Sequence, residues 1–367
     1  MSPETGVPAA APTRMGADEA DAVRAAIAQV VSEGPWIGGP AVDRFESDFA
    51  RASGSDHVVG VANGTDALAL AMLGLELPPG SSVLMAANEG GYAVTAARSI
   101  GLRPVPTDVG ASMSIDVDAA SAALTSDVAA VVVTHLHGDA ASLGALDDWR
   151  RRHGLALIED CAQAHGARSE IGPVGTTGDA ATYSFYPTKN LGAIGDAGAV
   201  AMTDPALAER LRSLRQYGWD DRRRIVLSGG HNSRMDPLQA AVLSARLPWL
   251  ESRNARRRRI AGDYRTAVAG SALRIHGDPN RTVAHHAVVI TERRDELAEF
   301  LQARGIGVAI HYPYLLDEMP GLRLEPGDFP LASRFRDSIL SLPCFPEMTD
   351  DEIDRVIVAL TDWISSE

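Results

Sequence analysis

Two stretches of the sequence each place one reactive side chain at the end of a predicted strand. Lys189 lies in the turn SFYPTKNLG at 184–192, and Asp160 ends the apolar run LIED at 157–160. A lysine amine forms a Schiff base with an aldehyde, and a carboxylate keeps a pyridine nitrogen protonated so that the ring accepts electrons. Together the two residues predict a pyridoxal phosphate enzyme.

A third stretch, NGTD at 63–66, follows a β-branched strand at 57–62 and precedes a helix-forming run at 67–75. This order is typical of a helix N-cap, and helix N-termini bind anions such as phosphate. A cap without any ligand is the alternative interpretation.

The elements that must position these residues alternate between strand and helix. Apolar, Val- and Ile-rich strands at 128–134 and 155–160 and their neighbours predict a largely parallel sheet with helices on both faces. Ligands of such sheets bind at the carboxyl ends of the strands, where Asp160, Ser184 and residues 64–66 all fall. We therefore predict an α/β fold with a three-layer α/β/α large domain.

The domain organisation follows from length and composition. A chain of 367 residues is long enough for two domains. We expect a loose tail rich in Pro and Ala at 1–14, the large domain at 15–250, and a smaller α+β domain at 251–367. In that last segment, 286–291 and 307–311 are predicted strands.

The bulk properties exclude several classes of protein. A net charge of −14 argues against a general nucleic-acid or membrane-surface binder. No apolar run approaches the ~18 residues of a membrane span, and the N-terminus lacks a signal-peptide layout. Two cysteines cannot build a disulfide scaffold, so we expect the cytoplasm. His135 and His137 have no evident third ligand, so we predict no metal site.

The ordered motifs of the chain resemble those of a known family. The chain is similar to the DegT/DnrJ/StrS-type pyridoxal phosphate enzymes of fold type I, mostly nucleotide-sugar aminotransferases. The matching segments are GPWIGGP at 34–40, NGTDAL at 63–68, HLHG at 135–138, EDCAQAHG at 159–166, SFYPTKNLG at 184–192, NSRMDPLQAA at 232–241 and HYP at 311–313.

This resemblance implies a role for each matching position. Lys189 would carry the cofactor as a Schiff base, and Asp160 would pair with the pyridine nitrogen. Gln163 would contact the ring hydroxyl. Gly64, Thr65, the backbone of Asp66, and Ser184 would bind the phosphate. Asn232 would reach the phosphate of the neighbouring subunit, which makes a homodimer part of the site.

Several positions depart from the common family pattern. The segment at 87–92 reads ANEGGY where many members have an aromatic residue that stacks on the cofactor ring, so Tyr92 is the stacking candidate. His137 stands where Tyr is common, and YLLD at 314–317 replaces a segment that contains a second histidine. These changes bear on the substrate pocket. The residues that we assign to the substrate are Trp36, His137, Tyr186, Arg222, Arg223, Arg234, His311 and Tyr312; for Arg222 and Arg223 the argument is charge and loop position alone.

The predicted reaction is a transamination in two half-reactions. The resemblance implies an amino donor, L-glutamate, and an acceptor keto group on a nucleotide-linked deoxysugar, such as a dTDP-3-keto-6-deoxyhexose of an antibiotic pathway. The alternatives are a cyclitol aminotransferase, a pyridoxal phosphate-dependent elimination or dehydration, and a non-catalytic regulator built on the same fold.

Overall fold

The computed structural model describes residues 6–366 of the chain. The strands are β1 (His57–Val61), β2 (Ser82–Ala86), β3 (Arg103–Thr107), β4 (Val128–Thr134), β5 (Ala156–Asp160), β6 (Arg168–Ser169), β7 (Gly172–Pro173), β8 (Ala180–Ser184), β9 (Gly198–Met202), β10 (Arg274–Ile275), β11 (Ala287–Ile290) and β12 (Ile339–Leu342). The helices are α1 (Ala17–Glu33), α2 (Pro40–Ser53), α3 (Gly64–Gly74), α4 (Tyr92–Ser99), α5 (Val117–Ala122), α6 (Gly144–His153), α7 (Pro205–Leu214), α8 (Pro237–Arg246), α9 (Leu250–Ala267), α10 (Arg294–Ala303), α11 (Pro330–Ser338) and α12 (Asp350–Ser365).

A seven-stranded sheet with the order β1-β9-β8-β5-β4-β2-β3 forms the centre of the described chain. Strand β9 runs antiparallel to both of its neighbours, β1 and β8, and the other pairs are parallel. Every strand except β9 therefore points its carboxyl end toward the same edge of the sheet. This result confirms the predicted, mostly parallel sheet.

Successive strand residues point to opposite faces of this sheet, so both faces carry apolar side chains. Helices cover both faces and bury these side chains. Alternate residues of the strands pack with α3, α4 and α7 on one face. The strand residues that point to the other face pack with α2, α5, α6 and α8. Strand β4 is buried along nearly its whole length, which explains its continuous run of Val and Ala. The three-layer α/β/α architecture is thus confirmed.

A second core lies in the C-terminal part of the chain. It is formed by the three-stranded sheet β10-β11-β12 together with α9, α10 and α12. Helix α9 begins at Leu250, next to the boundary that we proposed from the sequence. The segment 307–311 is not a regular strand: it contributes only the pairing of Ala309 with Ser341 in β12.

The prediction of a loose N-terminal tail is wrong for the residues from Val7 to Arg14. Val7 is 1% exposed within the C-terminal core, and its backbone bonds with Gly305 and Gly307 at 2.8 Å each. Arg14 pairs with Glu352 of α12 at 2.8 Å. The buried Val7 side chain and this ion pair attach residues 7–14 to the C-terminal core, although the composition of this segment alone suggested disorder. Residues 1–5 of the predicted tail lie outside the described residues.

Candidate functional site

A cavity of about 550 Å³ opens at the common carboxyl edge of the large sheet. It contains most of the residues that the sequence singled out. Its lining consists of Asn63, Gly64, Thr65, Leu68, Tyr92, Asp160, Ala162, Gln163, Ser184, Tyr186, Thr188, Lys189, Asp196, His285, His286, His311 and Tyr312.

Lys189 lies on the loop that joins the antiparallel neighbours β8 and β9. The base of the loop is closed by backbone hydrogen bonds from Phe185 to Ala197 at 2.8 Å and from Ala193 to Phe185 at 2.7 Å. Phe185 is fully buried and packs edge-on against two phenylalanines of α2. The loop therefore starts from a rigid strand end, which fixes the lysine backbone.

The residue after the lysine anchors the same loop from the other side. The amide nitrogen of Asn190 donates to the side chain of Asn254 at 2.8 Å and to the carbonyl of Val283 at 3.2 Å. Nδ1 of His285 and Oδ1 of Asn190 form a further bond at 2.8 Å. Asn190 is 1% exposed, so these buried bonds tie the lysine loop to the C-terminal half of the chain.

Lys189 and Asp160 influence each other inside the cavity wall. Burial lowers the pKa of Lys189 from 10.5 to about 8, although the charge of Asp160 acts to raise it. Burial raises the pKa of Asp160, and the Ala162 amide, Lys189 and His135 oppose this change. An amine with a pKa near 8 is neutral in a usable fraction at neutral pH, as a nucleophile requires.

The end of β1 and the start of α3 supply a helix N-terminus to the cavity. Asn63 caps α3, because its side chain accepts the Asp66 backbone N–H at 2.8 Å. A Cβ atom on Gly64 would stand 2.7 Å from Cβ of Ser184, so glycine is what allows α3 to approach β8. Gly64, Thr65 and Ser184 thus meet at one end of the cavity, as expected for a phosphate site.

Asp66 lies outside the lining of this cavity, and its expected phosphate contact stays a prediction. Its backbone N–H is already occupied by the cap. Its carboxylate lies 3.6 Å from Nε2 of His231.

The altered segment at 87–92 places the ring of Tyr92 in the cavity lining. Tyr92 is 54% exposed at the first turn of α4 and contacts Tyr312 edge-on, with ring centroids 6.5 Å apart. A Cβ atom on Gly90 would stand 2.6 Å from the Tyr92 ring and 2.8 Å from the Tyr312 ring. The glycine thus leaves the space that the two tyrosines fill.

Gln163 connects this aromatic pair to the sheet. Its Nε2 donates to the Tyr312 hydroxyl at 3.2 Å, and its Oε1 accepts the backbone N–H of His137 at 2.6 Å. The residue predicted to contact the cofactor therefore has a fixed orientation in the cavity wall.

A group of neutral histidines forms the C-terminal wall. His286 and His311 stack with ring centroids 3.9 Å apart, and His285 lies 4.2 Å from His286. Burial and then Lys189 lower the pKa of His311 to about 4, and burial also moves those of His285 and His286 well below the usual value. Sequence reasoning missed His285 and His286, although their position just before an apolar strand was a usable signal.

His137 does not line the cavity, contrary to the expectation of substrate contact. It is 2% exposed and lies behind the wall, where its Nε2 donates to the His311 carbonyl at 2.7 Å. Burial, followed by the nearby His276, lowers the pKa of His137 to about 3. Its observed role is to support His311.

Other residues assigned to the substrate lie away from the cavity of this chain. Trp36 is 71% exposed in the loop between α1 and α2. Arg222 and Arg223 lie in an exposed turn that Asp220 organises through the backbone amides of Arg222 and Arg224, both at 2.9 Å. Arg234 and Asn232 are also absent from the lining. The expectation for Asn232 concerns a second subunit and stays a prediction.

A second cavity of about 270 Å³ adjoins the first and shares Thr188, Lys189, His285, His286 and His311 with it. Residues 9–12 form part of its wall. Its charged lining residues other than Lys189 are Arg14, Arg246, Arg253, Arg257 and Glu347. The N-terminal segment is therefore close to Lys189.

A buried cluster of metal-ligand residue types, His135, Glu159 and Cys161, includes both sequence neighbours of Asp160. Hydrogen bonds occupy its polar atoms. His135 accepts the Ala141 N–H on Nδ1, so its Nε2 is the protonated nitrogen that donates to Glu159 at 3.0 Å. Burial and the charges of Glu159 and Asp160 raise the pKa of Cys161, which disfavours a thiolate ligand.

Glu159 holds the strand that ends on Asp160. Its carboxylate also accepts backbone N–H groups from Gly175, Thr177 and Gly178 at 2.7–2.8 Å. Burial opposes its ionisation, but the bonds from His135 and the backbone outweigh burial and lower its pKa. The carboxylate is therefore the stable form.

We expect Glu159→Gln to lower the free energy of unfolding by about 3 kcal/mol at pH 7, because an amide group meets N–H donors where a buried carboxylate accepted them. A lowered pKa contributes stability above the ordinary value of 4.5, and this contribution is lost as pH falls. The difference in free energy of unfolding between the parent and Glu159→Gln should therefore be smaller in acid. Urea melts at pH 7 and pH 4 measure it, with the exposed Glu325→Gln as control; equal curves for both variants would contradict it.

The sheet and the lysine–aspartate pair at its carboxyl edge define the class of fold-type-I aminotransferases. The chain belongs to the DegT/DnrJ/EryC1/StrS aminotransferase family, whose model matches residues 17–361. This confirms the family predicted from the sequence motifs. Among residues 6–366, no helix combines the length and apolar character that a membrane crossing requires.

Individual relatives agree over nearly the whole chain. A dTDP-3-amino-3,4,6-trideoxy-alpha-D-glucose transaminase from Streptomyces venezuelae is 40% identical over 346 residues, which are 92% of this chain and 91% of that protein. The crystal structure of S. venezuelae DesV in complex with a ketimine intermediate superimposes with a TM-score of 0.93 and 38% identity, covering 98% of both chains. NtdA from Bacillus subtilis with bound cofactor PMP matches with a TM-score of 0.89 and 26% identity, covering 96% of this chain and 83% of that one.

Proposed function

We propose that the protein is a pyridoxal phosphate-dependent aminotransferase that moves an amino group from L-glutamate to a keto group of a nucleotide-linked deoxysugar. The observation that carries this proposal is the buried Lys189 amine, with its pKa lowered to about 8, which borders one cavity together with Asp160. The S. venezuelae transaminase named above points to a dTDP-linked 3-keto-6-deoxyhexose as acceptor, in deoxyaminosugar and antibiotic biosynthesis.

The residues around the cavity fit the cofactor by their chemistry. Lys189 offers the amine for a Schiff base and, once released from it, a base that moves a proton at the reacting carbon. Asp160 offers the carboxylate for the ring nitrogen, and Tyr92 a ring face. The cofactor, when bound, supplies the electron sink that makes this proton removable.

Another group of lining residues suits the phosphate group. The α3 N-terminus at Gly64 and Thr65, together with the Ser184 hydroxyl, supplies N–H and O–H donors to an anion. Gln163 is placed for the ring hydroxyl. We further propose a homodimer in which Asn232 and Arg234 serve the neighbouring site. The two cysteines are both unpaired and buried, which fits a reducing compartment such as the cytoplasm.

The second cavity supports a donor that carries carboxylates. Arg14, Arg246 and Arg253 are each paired with glutamates of the chain. Among the described residues Arg257 has no such ion pair; its guanidinium donates to the carbonyls of His285 and Cys344. The wall therefore keeps one buried cation in excess, which a carboxylate of L-glutamate would neutralise.

A trapping experiment tests the proposal directly, because Lys189 is the only lysine of the chain. The Lys189 amine and the cofactor aldehyde condense with loss of water, and borohydride then reduces the C=N bond. Reduction in the presence of pyridoxal phosphate should therefore leave one pyridoxyl phosphate group on the peptide that contains Lys189. Prior treatment with L-glutamate should prevent the labelling, while L-alanine should be much less effective. The amino form of the protein should then react with dTDP-linked keto sugars and not with keto-inositols.

Other results would point elsewhere. Labelling that L-glutamate and other amino donors leave unchanged would favour an elimination reaction, and turnover of keto-inositols would favour a cyclitol aminotransferase. Absence of labelling would overturn the proposal and favour a regulator.

A further inference from the structure

Glu89, in the segment where the chain departs from the common family pattern, is a second carboxyl group at the same sheet edge as Asp160. Strand β4 lies between β5 and β2 in the sheet, and Thr134 of β4 is the register partner of Asp160. Glu89 follows β2, and its Oε2 lies 2.8 Å from the hydroxyl of Thr134. Thr134 therefore stands between the two carboxyl groups.

Among residues 6–366, no cation acts on the Glu89 carboxyl group. Glu89 is 4% exposed, and its Oε1 is buried without a hydrogen-bond partner among the described residues. The charge of the Asp160 carboxylate on β5 acts on Glu89, Glu89 in turn acts on the Tyr312 hydroxyl, and Lys189 acts on Asp160. Burial, followed by the charge of Asp160, raises the pKa of Glu89 from 4.5 to about 8, although the Thr134 bond lowers it.

A buried carboxyl without a cation is costly, and packing does not require one. An uncharged side chain could fill the same space and bond Thr134 without that cost. Residues that lower stability in this way are concentrated at functional sites.

We propose that Glu89 is a positioning residue that forms a carboxyl pair with Asp160, and that this pair holds one proton when the site is free of cofactor. The proton resides on Glu89, which leaves Asp160, the member that lines the cavity, as the negative group for the cofactor's ring nitrogen. Burial and the charge of Asp160 both favour this proton. A cationic ring beside Asp160 would offset the second of these, so a fraction of the Glu89 side chains would lose the proton to solvent. The assignment of Asp160 to the ring nitrogen rests on the proposed function.

The first test needs no cofactor. Between pH 4.5 and about 8 the unfolded chain has lost the Glu89 proton while the folded chain keeps it, so stability falls as pH rises in this window. Glu89→Gln removes that loss. Its folding equilibrium constant should therefore rise against that of the parent by about tenfold per pH unit within this window. Chemical denaturation of the cofactor-free proteins measures this, with Glu325→Gln as an exposed control.

The second test follows the proton when pyridoxal phosphate binds. At pH 8, calorimetry in buffers of different ionisation enthalpy should show that the parent releases more protons than Glu89→Gln. Parallel stability curves for the two proteins would overturn the proposal, whether or not the cofactor binds. Equal proton release by the two proteins would overturn the inference that cofactor binding displaces the Glu89 proton.

If Glu89→Gln fails to fold, the proposal can still be tested on the parent protein. The parent should show the infrared band of a protonated carboxyl group at pH 7. Its absence would also overturn the assignment. Failure of the cofactor to bind would overturn the proposed function, while the stability curves would still report on the Glu89 proton.

Discussion

Replacing Lys189 by alanine is expected to lower the rate of the L-glutamate half-reaction by about 10⁴-fold or more, since both the covalent attachment and the proton transfer are lost. The measurement is a single-turnover absorbance experiment with bound pyridoxal phosphate. Lys189→Arg should be equally inactive, because a guanidinium cannot lose its proton near neutral pH and cannot form the Schiff base.

The matched control is Arg258→Ala, which removes a basic residue from an ion pair with Glu251 on α9. This variant should react at the parent rate. If Lys189→Ala retained a glutamate-driven change in the cofactor spectrum within tenfold of the parent, the role of Lys189 would be refuted.

The second large effect is expected for Asp160→Asn. A neutral amide cannot stabilise a protonated ring nitrogen by charge, so the half-reaction should slow by about 10²–10⁴-fold. The change should also lower the pKa of Lys189 below its value of about 8, because the Asp160 charge is what raises it against burial. Single-turnover rates measure the first effect, and the pH dependence of Schiff-base formation with added pyridoxal phosphate measures the second.

Asp204→Asn provides the control, because Asp204 caps α7 by accepting the Ala206 N–H at 2.8 Å, and asparagine caps helices equally well. It should behave like the parent. An Asp160→Asn protein that reacts at the parent rate would mean that the carboxylate does not face the ring.

The sequence contained enough information for the sheet and for the meeting point of Lys189, Asp160, Gly64, Thr65 and Ser184. Runs of apolar residues determine which strands are buried, and the parallel direction of those strands brings their carboxyl ends to one edge. These features depend on local pattern and a general rule of connection. They could therefore be predicted without knowledge of side-chain packing.

The wall of the cavity could not be predicted in the same way. The bond between Gln163 and Tyr312 joins residues far apart in sequence, and nothing local signals it. The same holds for Val7, whose backbone bonds with Gly305 and Gly307 in the C-terminal part of the chain. His137 was expected to contact substrate, but its left-handed backbone, with φ at 61°, belongs to a turn behind the wall.

The anchoring of Asn190 has a consequence for the interpretation of mutational scans. Loss of its bonds to Asn254 and His285 would displace the adjacent lysine as well as weaken the core, since all three side chains are buried. A growth or activity screen would therefore group these three positions with Lys189. A melting curve would separate them, because Lys189→Ala removes chemistry while substitutions at the three anchors remove folding free energy.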